Sequence, residues 1–164
     1  MKILFIQTGG TIDKAYPKSN LGYAFEIDDP ASEKVLKRAQ VNIDYKTFSL
    51  FRKDSTEITS EDRLKLKNFI KDTSYDRIVI THGSDTLIET AQFLENLSNK
   101  TIVLTAAFLP ETFKDSDADF NLGMAVAAVQ GLEEGVYITM NGQIFDPQHC
   151  IKNEENGKFE NLHE

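Results

Sequence analysis

Four short stretches of the 164-residue chain bring hydroxyl, carboxylate and amine groups together in a form that can act on a small polar molecule. Thr8-Gly-Gly-Thr-Ile12 sets two hydroxyls around a glycine pair, and glycine lets backbone N–H groups approach a ligand or take positive φ. Arg52 to Thr59 is a polar cluster in which Asp54, Ser55 and Thr56 stand side by side. His82-Gly-Ser-Asp-Thr86 adds Gly83, Ser84 and Asp85, and Lys152 follows an Asn141-Gly142 hairpin signal. A threonine or serine hydroxyl is a poor nucleophile at neutral pH and needs a base. Thr11 and Ser84 are the candidate nucleophiles, with Lys152 and Asp85 as candidate bases. A lysine acts as a free amine only where burial lowers its pKa from about 10.4, and a neighbouring carboxylate opposes that. Each stretch by itself also has an ordinary reading: a strand-to-loop turn at Gly9-Gly10, turn formers at Asp54 to Thr56, a helix N-cap at Ser84 or Asp85. Neither His82 nor His149 has an obvious carboxylate partner at a fixed spacing, and both are read as structural.

The elements that would carry these groups alternate along the chain. Ile3 to Ile6 is an apolar run ending in Gly-Gly, the pattern of a strand buried on both faces. Asp13 to Asp29 is long for a connection and is either a lid or a variable surface loop. Pro30 to Ala39 is expected to be a short helix and Val41 to Leu50 a strand of period two. Thr59-Ser-Glu-Asp62 is a capping box opening a helix to about Asp72. Arg77 to Thr81, Thr101 to Thr105 and Gly135 to Met140 read as strands, with helices over Leu87 to Asn96 and Asp117 to Leu132 between them. The last helix is expected to turn Phe120, Met124, Ala127 and Ala128 to one side. Gln143 to Phe145 is expected to pair back, and Asn153 to Glu164 to fray. This alternation predicts an α/β, flavodoxin-like three-layer fold with a mainly parallel sheet, formed as a single domain. Ligands of such sheets bind beyond the carboxyl ends of the strands, where three of the polar stretches fall. The positive end of the helix starting near Thr86 points to the same edge and favours an anionic group there.

Composition narrows the partners. A net charge of -8 argues against nucleic acid, which needs a basic patch. No apolar run approaches the roughly 20 residues of a membrane helix, and no membrane association is expected. One cysteine, Cys150, and no secretion signal suggest a cytoplasmic protein. No G-x-G-x-x-G supports a dinucleotide, and no cofactor or metal is expected.

Thr8-Gly-Gly-Thr-Ile12 and His82-Gly-Ser-Asp-Thr86 resemble the two signature motifs of the bacterial-type L-asparaginase family, usually TGGTI and HGTDT. The likeness continues through Glu89-Thr90-Ala91, Phe93-Leu94, the Phe120-Asn121-Leu122 segment, and the stretch from Met140 to Lys152. Family members hydrolyse the side-chain amide of asparagine, less often of glutamine. The resemblance implies Thr11 as acyl-accepting nucleophile, and Ser84 as second hydroxyl grouped with Asp85 and Lys152. It implies Ser55 on the substrate α-carboxylate, Asp85 on its α-ammonium, Asp54 and Thr56 flanking, Gly83 and Ala107 completing the binding set, and Tyr23, rather than Tyr16, orienting Thr11. Two departures stand out. Ser84 replaces a threonine, keeping the hydroxyl and losing the methyl that stiffens χ1. The resemblance covers the family's N-terminal domain over residues 1–164, and the C-terminal domain that supplies a further acidic residue to another subunit's site is expected to be absent. Weak affinity for asparagine is therefore expected, and a homo-oligomer bringing Glu154, Glu155 or Glu160 to a neighbouring site would offset it. The rival reading is a non-catalytic flavodoxin-like module that binds a small amino acid at the same edge.

Overall fold

A computed structural model describes residues 1–18 and 24–162. Strand β1 (Lys2–Gly9) leads into a 3-10 turn at Thr11–Asp13 and the first half of a small ribbon, β2 (Lys14–Ala15) with β3 (Glu26–Ile27). Helix α1 (Ala31–Arg38), β4 (Asp44–Lys53), a 3-10 turn at Ser55–Glu57 and α2 (Ser60–Asp72) follow. Then come β5 (Arg77–Thr81), α3 (Leu87–Leu94), β6 (Thr101–Thr105), α4 (Ala118–Gly131) and β7 (Gly135–Met140). The chain closes with β8 (Gln143–Phe145), a 3-10 turn at Pro147–His149, β9 (Cys150–Lys152) and β10 (Phe159–Asn161).

The central sheet has the order β4-β1-β5-β6-β7-β8, with the first five strands parallel and β8 antiparallel. The continuous apolar runs have their cause in this arrangement. Ile78, Val79 and Ile80 are all fully buried because helices cover both faces of β5. Leu4, Ile6, Ile78, Ile80, Ile102 and Leu104 pack against Leu66 and Ile70 of α2 and Leu87, Ala91 and Leu94 of α3. Ile3, Phe5, Val79 and Val103 face Val35 and Leu36 of α1 and Ala118, Leu122, Ala125 and Val129 of α4. Each such side chain contributes about 1.5–3 kcal/mol on burial, which fixes the register because a one-residue slip would expose a whole face. This is the expected flavodoxin-like three-layer architecture. Its strand order reverses between β1 and β5, and such a switch point is where open α/β sheets bind ligands.

Three local expectations need correction. The β4 strand runs from Asp44 to Lys53 rather than from Val41 to Leu50; Val41 and Ile43 instead pack on the α1–α4 side as lead-in residues. On α4 the inward face is Ala118, Asn121, Leu122, Ala125, Ala128 and Val129, whereas Phe120 is 62% exposed and Ala127 also faces out. Phe120 instead lies against the β7–β8 turn, near Gly142. The described residues from 153 to 162 do not fray: β10 pairs with β9, and Phe159 is buried in the α2–α3 core beside Met140 and Phe145, while 163 and 164 lie outside the described residues.

Candidate active site

The carboxyl ends of β1, β4 and β5 are held so closely that side chains are excluded between them. Gly10, at φ 87°, donates its N–H to Lys53 O at 3.0 Å, tying the end of β1 to the end of β4. A Cβ on Gly10 would come within 2.4 Å of Gly83 Cα, and one on Gly83 within 2.6 Å of Ser55 Cβ and Oγ. Both positions demand glycine, Gly10 for its backbone conformation as well as for space. This stack makes Thr11, Ser55 and Ser84 neighbours across three connections that are far apart in the chain. Thr8 Oγ1 donates to Thr81 O at 2.8 Å, and Thr86 Oγ1 to Ser55 O at 2.7 Å, so hydroxyls stitch the same edge.

Lys152 enters from β9. Its Nζ donates to Ser84 Oγ at 3.1 Å and to Asp85 Oδ1 at 2.7 Å, and lies 6.0 Å from the centre of the Phe108 ring. The lysine is partly covered, whereas the Asp85 side chain is 57% exposed, which leaves one carboxylate edge open to a ligand. A serine hydroxyl bridged to an ammonium and beside a carboxylate can accept a proton and pass it on. The Thr11 side chain is half-buried, and its hydroxyl makes no hydrogen bond among the described residues.

Two buried titratable groups lie under the site. Asp13 follows Thr11 by two residues and is fully enclosed. Its Oδ1 accepts the first N–H of α1, from Ala31, at 2.7 Å, and Thr81 Oγ1 lies 3.4 Å from Oδ2. Burial pushes its carboxyl up to about 7, against the opposing pull of these donors. His82 is also fully buried, and burial holds its imidazole down at about 4, hence neutral. No carboxylate bonds to His82 among the described residues. His149, by contrast, does have one: its Nδ1 lies 3.2 Å from Asp146 Oδ2 at the surface, a pairing not foreseen from the spacing.

The remaining sequence candidates divide. Ser55 is buried at the first position of its 3-10 turn. Asp54 caps that turn and binds Lys14 Nζ at 2.6 Å, so its carboxylate is already engaged. Thr56 is exposed on the same turn. Ala107 turns its methyl into the α1–α4 core, leaving its main chain as the part that can face a ligand. Tyr23 lies outside the described residues. Sequence reasoning missed the clamp behind Ala106 to Leu109. Asn121 Nδ2 donates to Ala106 O at 3.0 Å and to Asp117 Oδ2 at 2.9 Å, while Asp117 accepts the N–H groups of Phe108 and Leu109 at about 3 Å. The available signal was an asparagine on the buried stripe of an apolar helix. Arg63 and Thr90, both buried, bond behind His82 and were likewise missed.

This arrangement has counterparts among known proteins. A family model described as "Asparaginase, N-terminal" matches residues 2–159. The L-asparaginase of Thermococcus kodakarensis is 34% identical over 151 residues, covering 88% of this chain and 45% of that protein. The glutaminase-asparaginase of Acinetobacter glutaminasificans is 32% identical, covering 92% and 49%. The solved structure of the thermostable Thermococcus enzyme superposes with a TM-score of 0.81 at 31% identity, covering 98% of this chain and 51% of its own. A probable cytoplasmic L-asparaginase from Campylobacter jejuni gives 0.81 at 30% identity. The chain spans about half the length of these relatives. With the family model covering nearly all of its residues, the chain belongs to the asparaginase family, where it corresponds to the N-terminal domain.

Proposed function

We propose that this domain is an L-asparaginase-type amidohydrolase that converts L-asparagine to L-aspartate and ammonia through an acyl-enzyme on Thr11. The observation that carries the reading is the Lys152–Ser84–Asp85 contact, set beside the Gly10–Gly83 stack that brings Thr11 to the same edge. Thr11 Oγ would add to the side-chain amide carbon while its proton leaves through the Ser84–Lys152 pair. That proton would go to the departing nitrogen, which leaves as ammonia, and water would then cleave the resulting ester by the same route in reverse. Ser55 would take the α-carboxylate and Asp85 the α-ammonium, with Gly83, Thr56 and the Ala107 main chain around them. Tyr23 would help orient Thr11, and Asp54 would act by capping the Ser55 turn. No cofactor is invoked. Glutamine is the second substrate to test, because the Acinetobacter relative is named a glutaminase-asparaginase. A cytoplasmic location agrees with the name of the Campylobacter protein, and no helix among the described residues is long and apolar enough to cross a membrane.

Ammonia release from asparagine by the full chain, beside Thr11→Ala, is the test. Turnover in the wild type that drops by about 10³-fold or more in the folded variant supports a threonine nucleophile. Saturable asparagine binding without ammonia release would make the domain a binding module instead.

A further inference from the structure

The inner side of the Gly83–Ser84 peptide is reached by hydrogen bonds that begin on another helix. Arg63 of α2 is only 4% exposed, and its Nε lies 3.0 Å from Thr90 Oγ1 on α3. Thr90 Oγ1 lies 3.0 Å from His82 Nε2, and His82 Nδ1 lies 2.8 Å from Gly83 O. The two ends set the direction of the whole chain, because a guanidinium only donates and a carbonyl only accepts. Thr90 therefore receives the Arg63 Nε–H and gives its own proton to His82 Nε2. His82 keeps its proton on Nδ1 and donates it to Gly83 O. All three bonds point the same way, and a second Arg63 nitrogen is held by Glu89 Oε2 at 2.9 Å.

In a trans peptide the C=O and N–H point in opposite directions. Pinning the Gly83 carbonyl toward a fully buried ring turns the Ser84 N–H outward. It also presents Ser84 Oγ and Asp85 to Lys152 at the open edge. We propose that Arg63, Thr90 and His82 are positioning residues for the asparaginase-type reaction, holding the Gly83–Ser84 peptide in the one orientation that lets Ser84 and Asp85 meet Lys152. The assignment rests on the functional reading above and adds to it three residues that touch no substrate. Threonine at 90 is then required for its hydroxyl: a valine there would fill the same space and leave both His82 Nε2 and Arg63 Nε without a partner.

The test compares Thr90→Val with Thr90→Ser in the full chain. Thr90→Val is expected to lower kcat on asparagine about 10–100-fold with KM within about threefold, the size of a buried polar group left unsatisfied and expressed in the transition state. Thr90→Ser, which restores the hydroxyl, is expected within about threefold of wild type. Nitrogen NMR of the imidazole should show His82 protonated on Nδ1 in the wild type and in Thr90→Ser. The Ser84 amide resonance should move in Thr90→Val alone. A folded Thr90→Val with wild-type kcat, or a wild-type ring protonated on Nε2, would overturn the proposal. If the wild type releases no ammonia, the asparaginase reading fails, while the ring and amide resonances still decide whether the chain orients this peptide. If Thr90→Val does not fold, Arg63→Lys takes its place, since it keeps the charge but removes the Nε–H, and the same split between kcat and KM is expected.

Discussion

Lys152 holds Asp85 at 2.7 Å and Ser84 at 3.1 Å, so its removal separates chemistry from stability. A pair this exposed contributes at most about 1 kcal/mol to folding. Lys152→Met is therefore expected to melt near the wild-type temperature while kcat falls about 10²–10⁴-fold and KM changes less. Steady-state kinetics with a thermal melt on the same sample checks it; an unchanged kcat would reduce Lys152 to a surface cation. Asp13 makes a different prediction. Its folded pKa is raised from 3.8 to about 7, so between those values the native state binds a proton that the unfolded state lacks. Its contribution is complete below the lower value and is lost as pH rises toward the upper one. The total is about 4 kcal/mol, from about three pK units at 1.36 kcal/mol each. Asparagine at this position keeps an acceptor for the Ala31 N–H. Asp13→Asn should therefore gain stability over wild type as pH rises from about 4 to 7, and hold a constant advantage above that range. Urea midpoints across pH would show it, and parallel profiles for the two proteins would refute it.

At the scale of elements, what could be read from the sequence was what periodicity and punctuation encode. The β1, β5 and β6 runs are apolar because helices cover both faces, and the Thr59–Asp62 box opens α2 as its residues imply. The α4 stripe was misread because the helix is apolar nearly all round, so size suggested Phe120 as core where geometry chose Leu122 and Ala125. The C-terminal ribbon was missed because its one deep anchor, Phe159, stands among polar residues and makes no periodic pattern. The motif hydroxyls stand out in the sequence by residue type and spacing, whereas Arg63, Thr90 and Asn121 make contacts between elements, which spacing along the chain does not carry. Burial also left a mismatch: Thr139 on β7 is fully enclosed, and its hydroxyl has no hydrogen-bond partner among the described residues. Thr139→Val should stabilise the fold by about 0.5–2 kcal/mol, since an unpaired buried hydroxyl is a cost that a methyl lacks. Chemical denaturation measures this, and a loss of stability would mean that the hydroxyl has a partner in solution.

At the scale of the whole 164-residue domain, the acidic groups it carries bear on affinity. Within these residues Asp85 is the acidic group assigned to the substrate α-ammonium. A hydrogen bond to a charged group contributes about 1.5–3 kcal/mol, so removing that carboxylate, as in Asp85→Asn, should weaken asparagine binding about 10–100-fold. KM for asparagine is expected to rise by that factor in folded Asp85→Asn relative to the wild-type domain. An unchanged KM would show that Asp85 does not hold the ammonium.

The lysine's place in the molecule has a dynamic consequence. Lys152 rides on a ribbon of three residue pairs that lies outside the six-stranded sheet and is fastened by Phe159, Cys150 and the Phe159 N–H bond to Asn141 Oδ1. Two strands alone are marginal in water, so this ribbon can detach while the sheet stays closed. Amide hydrogens of Ile151, Lys152 and Glu160 should then exchange with solvent well before those of Val79 and Val103. A protease acting on that brief opening, or gentle warming, would abolish the proposed hydrolysis while the circular dichroism still reads as native.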